Sequence, residues 1–143
     1  PTSDGLSGIQ VHMTNTSNLP VEGLELEFPL TLMRYELVDD SAGIGKFRGG
    51  QGIRRVYRVE EACRLSLDTS RLRSQPWGLN GGENGQATSL DFGDGRNDFA
   101  GMIDLKPGQI IEIATAGGGG FGTINERSPD SVQRDLAEGR KTA

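Results

Sequence analysis

Residues 45–67 read GKFRGGQGIRRVYRVEEACRLSL. Four of the first eight are glycine, and a β-prone run, Ile53 to Val59, follows. From Cys63 to Leu67 the pattern alternates strictly, with Cys63, Leu65 and Leu67 set against Arg64, Ser66 and Asp68. A period of two is the strand period, because successive side chains on a strand point to opposite faces. The stretch therefore predicts two strands fed by a long glycine-punctuated connection, Asp39 to Gly52.

Working outward, Leu30 to Val38 is also β-prone, but its alternation changes phase between Leu32 and Met33, as a bulge requires. Downstream, Thr88–Phe92, Met102–Leu105 and Gln109–Thr115 read as strands, with a turn at Gly93-Asp94-Gly95. Lys106-Pro107-Gly108-Gln109 fits a type II turn, with proline pre-set at its second position and glycine at its third. Upstream, Ile9 to Met13 alternates and puts His12 on the polar side with Gln10 and Thr14. Asn15 to Leu19 is turn- and cap-forming.

Two helices are expected. Pro20 opens and Pro29 closes Val21 to Phe28, where Val21, Leu24 and Phe28 share a helical face. Leu24, Leu26 and Phe28 also alternate as a strand would. Residues 129–139 form a C-terminal helix, with Ser128 as cap, Pro129 in the first turn, Val132 and Leu136 four apart, and Gly139 as the stop. Residues 1–8 read as linker-like, as though from the middle of a longer polypeptide. The fold expected over 1–143 is a single mainly-β domain. It is a sandwich or irregular barrel of short strands with long glycine-rich loops, one short helix near 20–28 and the C-terminal helix.

Composition narrows the function. At 143 residues the chain can bury roughly two thirds of the surface its unfolded form exposes. Its 22 glycines are about twice the usual share, which implies tight turns and close backbone approaches. A net charge of −5 repels polyphosphate and argues against nucleic-acid or acidic-membrane partners. No apolar run approaches the ~18 residues a crossing helix needs. One cysteine, Cys63, excludes an internal disulfide and suits a reducing, cytoplasmic setting; it reads as a small core residue. One histidine, His12, excludes a His/Cys metal cluster and any Ser-His or Cys-His pair without it.

His12 with Asn15 and Thr16 is the best polar constellation, with His12 as the one candidate catalytic residue. The run Gly117-Gly118-Gly119-Gly120-Phe121-Gly122 either presents backbone amides to a phosphate or packs as a tight loop against another surface. It lacks the Lys-Ser/Thr of a P-loop. Trp77 is either a hydrophobic anchor for its loop or, if exposed, part of a partner surface. Asp39, Asp40, Asp91, Asp94 and Asp98 lack metal-loop spacing and read as turn residues, so no metal site is expected. Arg34, Arg54, Arg55, Arg58, Arg64, Arg71 and Arg73 crowd the middle of the chain, as solvated strand faces or as an anion-binding stripe.

Seven segments stand in order: HMTNT from His12, NLPVEGLE from Asn18, FPL from Phe28, RYEL from Arg34, GKFRGGQG from Gly45, PWGLNGG from Pro76 and AGGGGFG from Ala116. In this order they resemble the C-terminal part of hydantoinase B subunits and the matching part of 5-oxoprolinase, from Asp4 to about Gly139. N-methylhydantoinases, lactamases and ketone carboxylases share that plan. The resemblance implies an ATP-dependent system, in which an A-type subunit phosphorylates a cyclic amide or ketone oxygen and a B-type subunit processes the activated intermediate.

On that basis the chain is expected to be a C-terminal segment or small subunit of a hydantoin or 5-oxoproline ring-opening hydrolase. Its role is structural and interfacial, and it is not catalytic alone. Its partners are then the rest of a B-type subunit and an ATP-binding A-type subunit. The chain itself binds no cofactor, and the complete complex uses ATP and a divalent metal whose His and Asp ligands lie upstream of this segment. Asn15, Thr16, Trp77 and Gly117 to Gly120 become substrate or interface contacts. Where the family reads Thr-Pro this chain has Leu19-Pro20, which moves the expected helix cap to Asn18. The alternatives are a part of an acetone- or acetophenone-type ketone carboxylase and a non-catalytic ligand-binding module.

Overall fold

The structure, a computed structural model, describes residues 1–9, 18–97, 99 and 101–140. The expected strand Ile9–Met13 falls largely outside them. In chain order the elements are α1 (Val21–Glu27), β1 (Leu30–Leu37), β2 (Ile53–Val59), β3 (Cys63–Ser66), β4 (Ser89–Asp91), β5 (Met102–Leu105), β6 (Ile110–Ala114), a 3-10 turn (Ile124–Glu126) and α2 (Pro129–Ala137). Antiparallel pairing gives one four-stranded sheet, ordered β1-β2-β6-β4, and one two-stranded sheet, β3-β5. Among the described residues the sheets do not close into a barrel, so the sandwich is the form realised.

The core lies between the two sheets. Val59 and Ile111 from the larger sheet meet Ile103 and Leu105 from the smaller one, and Phe92 completes the buried cluster. Cys63, expected to be a small core residue, packs against its edge. β1 carries the anticipated bulge: Leu32 pairs with Tyr57 and Arg34 with Val56, leaving Met33 as the extra residue. The turn at Lys106–Gln109 also forms, with Gly108 at φ +79° and Gln109 N–H donating to the Lys106 carbonyl at 3.1 Å.

α1 is helical rather than extended. Leu26, which a strand would place beside Leu24 and Phe28, is 89% exposed. The cap on Asn18 does not form. Pro20 occupies the N-cap position without a side-chain bond, and Asn18 turns instead to Tyr35 and Arg55. At the other end, Ser128 caps α2 as expected by accepting from Ser131 N–H. The inward face of α2 differs from the Val132/Leu136 stripe: Leu136 is 56% exposed, and the buried residue is Asp135.

Asp135 sits in a four-residue charge cluster. Its carboxylate accepts from Arg48 Nε at 3.3 Å and from Arg127 Nη2 at 2.6 Å. Arg127 also forks onto both oxygens of Asp4 at 2.9 Å, and Arg48 N–H donates to Asp4 Oδ1 at 2.8 Å. Two arginines and two aspartates balance, which is what lets these charges be buried. Asp4 is bonded there, and Gly5 and Gly8 donate to the carbonyls of Arg48 and Gln51, which ties residues 4–8 to the loop at 48–51.

The long loops form a layer of their own. Segments 41–52, 76–86 and 116–122 run alongside one another and share backbone hydrogen bonds. Gly43 N–H donates to Gly118, Gly118 N–H to Gly50, Glu83 N–H to Ile44 and Gly120 N–H to Glu83. Sheets ordinarily stack about 10 Å apart because side chains fill the gap. Here the gap is absent. A Cβ on Gly49 would stand 2.0 Å from the Gly118 carbonyl oxygen, and one on Gly117 would stand 2.0 Å from that of Ser41. Only glycine permits backbone to neighbour backbone on more than two sides.

Candidate functional site

A cleft of about 590 Å³ opens where the glycine layer meets the four-stranded sheet. Arg55 and Arg71 contribute charge to it, Thr88 and Thr115 contribute hydroxyls, and Gly117 and Gly118 contribute bare backbone. Ile9 and Asn18 also line it. His12, Asn15 and Thr16 lie outside the described residues.

Arg55 is placed by the strand register, paired with Tyr35 on β1 and with Ile113 on β6. Its guanidinium carbon lies 4.9 Å from the Tyr35 ring centre, a cation–π contact. Its Nη2 donates to Asn18 Oδ1 at 2.6 Å, and Asn18 Nδ2 donates to the Tyr35 hydroxyl at 2.8 Å. Asn18 and Arg55 also line a smaller cavity of about 170 Å³ between α1 and the sheet.

Arg71 is held differently. Its φ is +66°, in the left-handed region that few non-glycine residues other than Asn, Asp and His adopt. Its carbonyl accepts from Thr88 N–H, and its guanidinium lies 5.2 Å from the Trp77 ring centre. The hydroxyls are oriented by backbone: Thr88 Oγ1 accepts from Ala116 N–H at 3.2 Å and Thr115 Oγ1 from Ile53 N–H at 2.8 Å. Each hydroxyl thus keeps its own proton to donate.

The residues singled out in the sequence separate. Gly117 and Gly118 line the cleft, whereas Gly119 and Gly120 pack against the carbonyls of Trp77 and Ile44. Gly117, Gly118 and Gly120 each donate their N–H to a backbone carbonyl, of Gln86, Gly50 and Glu83. These three amides are therefore engaged, and the run packs closely against neighbouring backbone. Trp77 is 65% exposed, with Leu79 at 54% two residues on, so it does not anchor its loop by burial.

The arginine-rich middle divides as well. Arg54 pairs with Glu36 and Glu112, Arg58 with Glu60, and Arg64 with Asp104. Among the described residues Arg55 and Arg71 are paired with no carboxylate. Sequence reasoning did not single out Arg55, Arg71, Thr88 and Thr115 as site residues; arginine crowding was the one signal pointing toward any of them.

No group of three His, Cys, Asp or Glu among the described residues could hold a metal ion. Asp91 and Asp94 spend their carboxylates on turns, accepting from Gly93 N–H and Arg96 N–H. Among the described residues the donor set does not fit a divalent metal, and three amides of the glycine run are already bonded to carbonyls. No described helix is long and apolar enough to cross a membrane.

Comparison with known proteins adds three likenesses. The chain is 38% identical over 128 residues to 5-oxoprolinase 1 of Arabidopsis thaliana, covering 86% of this chain and 10% of that one. To the B-type subunit of a putative D-/L-hydantoinase from a Pseudomonas species it is 33% identical over 144 aligned positions, covering 95% and 24%. It superposes on the crystal structure of an ATP-dependent caprolactamase from Pseudomonas jessenii with a TM-score of 0.71 at 28% identity, covering 84% and 22%. The chain thus spans between a tenth and a quarter of these relatives. Residues 1–124 match the profile of the Hydantoinase B/oxoprolinase family, and the chain belongs to that family.

Proposed function

We propose that this chain forms part of the B-type component of an ATP-dependent enzyme that opens cyclic amides such as hydantoins, 5-oxoproline or lactams. Its role is architectural and interfacial. The observation that carries the reading is the likeness to under a quarter of an ATP-dependent caprolactamase, at an identity high enough to reach beyond fold. The close-packed glycine layer and the exposed Trp77 support it, since the first ties the long loops together and the second offers a contact surface.

In this proposal ATP and a divalent metal act in other parts of the complex, and partners of the B- and A-types complete it. The setting is cytoplasmic, where the free Cys63 thiol stays reduced. His12, Asn15 and Thr16 belong to the same proposal as contacts made in the assembled enzyme, with His12 orienting substrate.

The test is reconstitution. The chain is combined with the rest of a B-type subunit and an A-type subunit, and ATP-dependent opening of hydantoin, 5-oxoproline and caprolactam is measured. Turnover that requires all components supports the proposal; ring opening by the chain alone overturns it. Bicarbonate-dependent ketone consumption in place of ring opening would assign the ketone-carboxylase branch. His12→Asn in the complex is expected to lower turnover without loosening assembly.

A further inference from the structure

We propose that the 590 Å³ cleft is a binding site for a small oxyanion, a phosphate or carboxylate group held between Arg55 and Arg71. The inference concerns occupancy rather than turnover, and it holds whether or not the assembled enzyme opens rings.

The first argument is charge. The chain carries a net −5, yet among the described residues no aspartate or glutamate lines this cleft and two arginines do. The neighbouring strand arginines Arg54, Arg58 and Arg64 have carboxylate partners, while Arg55 and Arg71 have none among the described residues. A concave site lined by one sign of charge focuses its field and concentrates the opposite ion. Guanidinium groups add the forked donor geometry that suits planar carboxylates and phosphate oxygens.

The second argument is the set of donors. Thr88 and Thr115 each accept a backbone N–H, which leaves their O–H as the remaining polar function. The cleft therefore offers guanidinium and hydroxyl donors together, a set that matches an anion and mismatches a cation.

The third argument is the backbone of Arg71. Its φ of +66° is a left-handed conformation that side chains rarely adopt, and such outliers gather where side-chain direction serves binding. Both arginines also lie over aromatic rings, Arg55 over Tyr35 and Arg71 over Trp77, which narrows the orientations their guanidinium groups sample before any ligand arrives. Less ordering entropy is then lost on binding.

The test is direct binding by the intact chain, followed by NMR at the arginine Nε–H and the Thr88 and Gly117 amide resonances. Inorganic phosphate and acetate are titrated separately. Saturable shifts with a dissociation constant of about 10 mM or tighter are expected. Arg55→Gln and Arg71→Gln are each expected to weaken binding about tenfold. Arg71→Lys, which keeps the charge over Trp77 and loses the fork, should fall between. Arg64→Gln serves as the control, with affinity unchanged.

Phosphate alone, acetate alone, or competition between them at the same resonances would each support the site and identify the group it takes. Absence of saturable shifts with both anions, or an affinity that neither Gln variant alters, would overturn it. Because no turnover enters this readout, its failure is distinct from failure of ring opening in the reconstituted complex.

Discussion

Arg48 Nε and Asp135 Oδ1 lie 3.3 Å apart although 87 residues separate them in sequence, and both side chains are almost wholly buried. This pair ties the glycine layer to α2, and Arg127 ties both to Asp4. Removing one member of a buried charge cluster leaves its partners uncompensated, which costs about 3–5 kcal/mol. Asp135→Asn is therefore expected to be strongly destabilising in urea unfolding. Leu136→Ala, one residue away on the exposed face, should stay within about 0.5 kcal/mol. Equal effects would remove the ion cluster as the anchor of α2.

Three glycines should respond to alanine in three ways. At Gly49 a Cβ would meet the Gly118 carbonyl at 2.0 Å, so Gly49→Ala should unfold the chain or lower its melting temperature severely. At Gly95 nothing lies within 4 Å but φ is +73°, and Gly95→Ala should cost only about 1–2 kcal/mol. At Gly23, inside α1, a Cβ would make only ordinary contact with the Leu19 side chain at 3.7 Å and the backbone is not left-handed, so alanine should add up to about 1 kcal/mol. Thermal melts of the three variants check the order.

Acid should loosen the N-terminal segment. Burial alone would raise the Asp4 carboxyl, but the bonds from the Arg127 side chain and the Arg48 backbone, with both positive charges, outweigh it and hold the group below its ordinary range. The folded state thus favours the charged form. Its contribution is complete above the unfolded value near 3.9 and is lost as pH falls through the lower folded value. Asp4→Asn is expected to be less stable than the parent at pH 7 and equal to it below both values. Unfolding midpoints measured across that window test this, and parallel curves at every pH would count against it.

How much of this was legible in the sequence depends on the kind of interaction. Alternation at Cys63–Ser66, the phase slip at Met33, the Pro107-Gly108 turn and the Ser128 cap are local, and each formed where the residues placed it. Asp135 was not legible, because a periodicity reading sends charged helix positions to solvent and cannot see arginines arriving from residues 48 and 127. The glycine segments pointed to close approach without naming what approached, since glycine has no side chain to carry a period. The cleft was hidden for a related reason. Arg54 and Arg55 look alike in sequence, and only strand register puts the first against Glu36 and the second against Tyr35 and Asn18.

Trp77 offers a test of the interface. Its ring is 65% exposed and touched by the Arg71 guanidinium, a contact worth only about 0.5–1 kcal/mol at such a site. Trp77→Ala should leave the folded chain nearly as stable as before. If this surface meets the rest of a B-type subunit, the same change should weaken that association by at least about 2 kcal/mol, a thirtyfold loss or so in calorimetry. Undiminished association would move the contact elsewhere.

The glycine layer also constrains when the molecule can be made. Its backbone bonds join positions near 5, 43–50, 83–86 and 117–122, so no shorter nascent chain contains all the carbonyls and amides that satisfy one another. Until residue 122 has left the ribosome, the amides of Gly43, Phe47 and Leu79 and the carbonyls of Gly50, Glu83 and Gln86 lack the partners they have in the fold, and exposed backbone of that kind sticks to other chains. Pauses in translation before that point should recruit more chaperone than pauses after α2 has also emerged and Asp135 can reach Arg48.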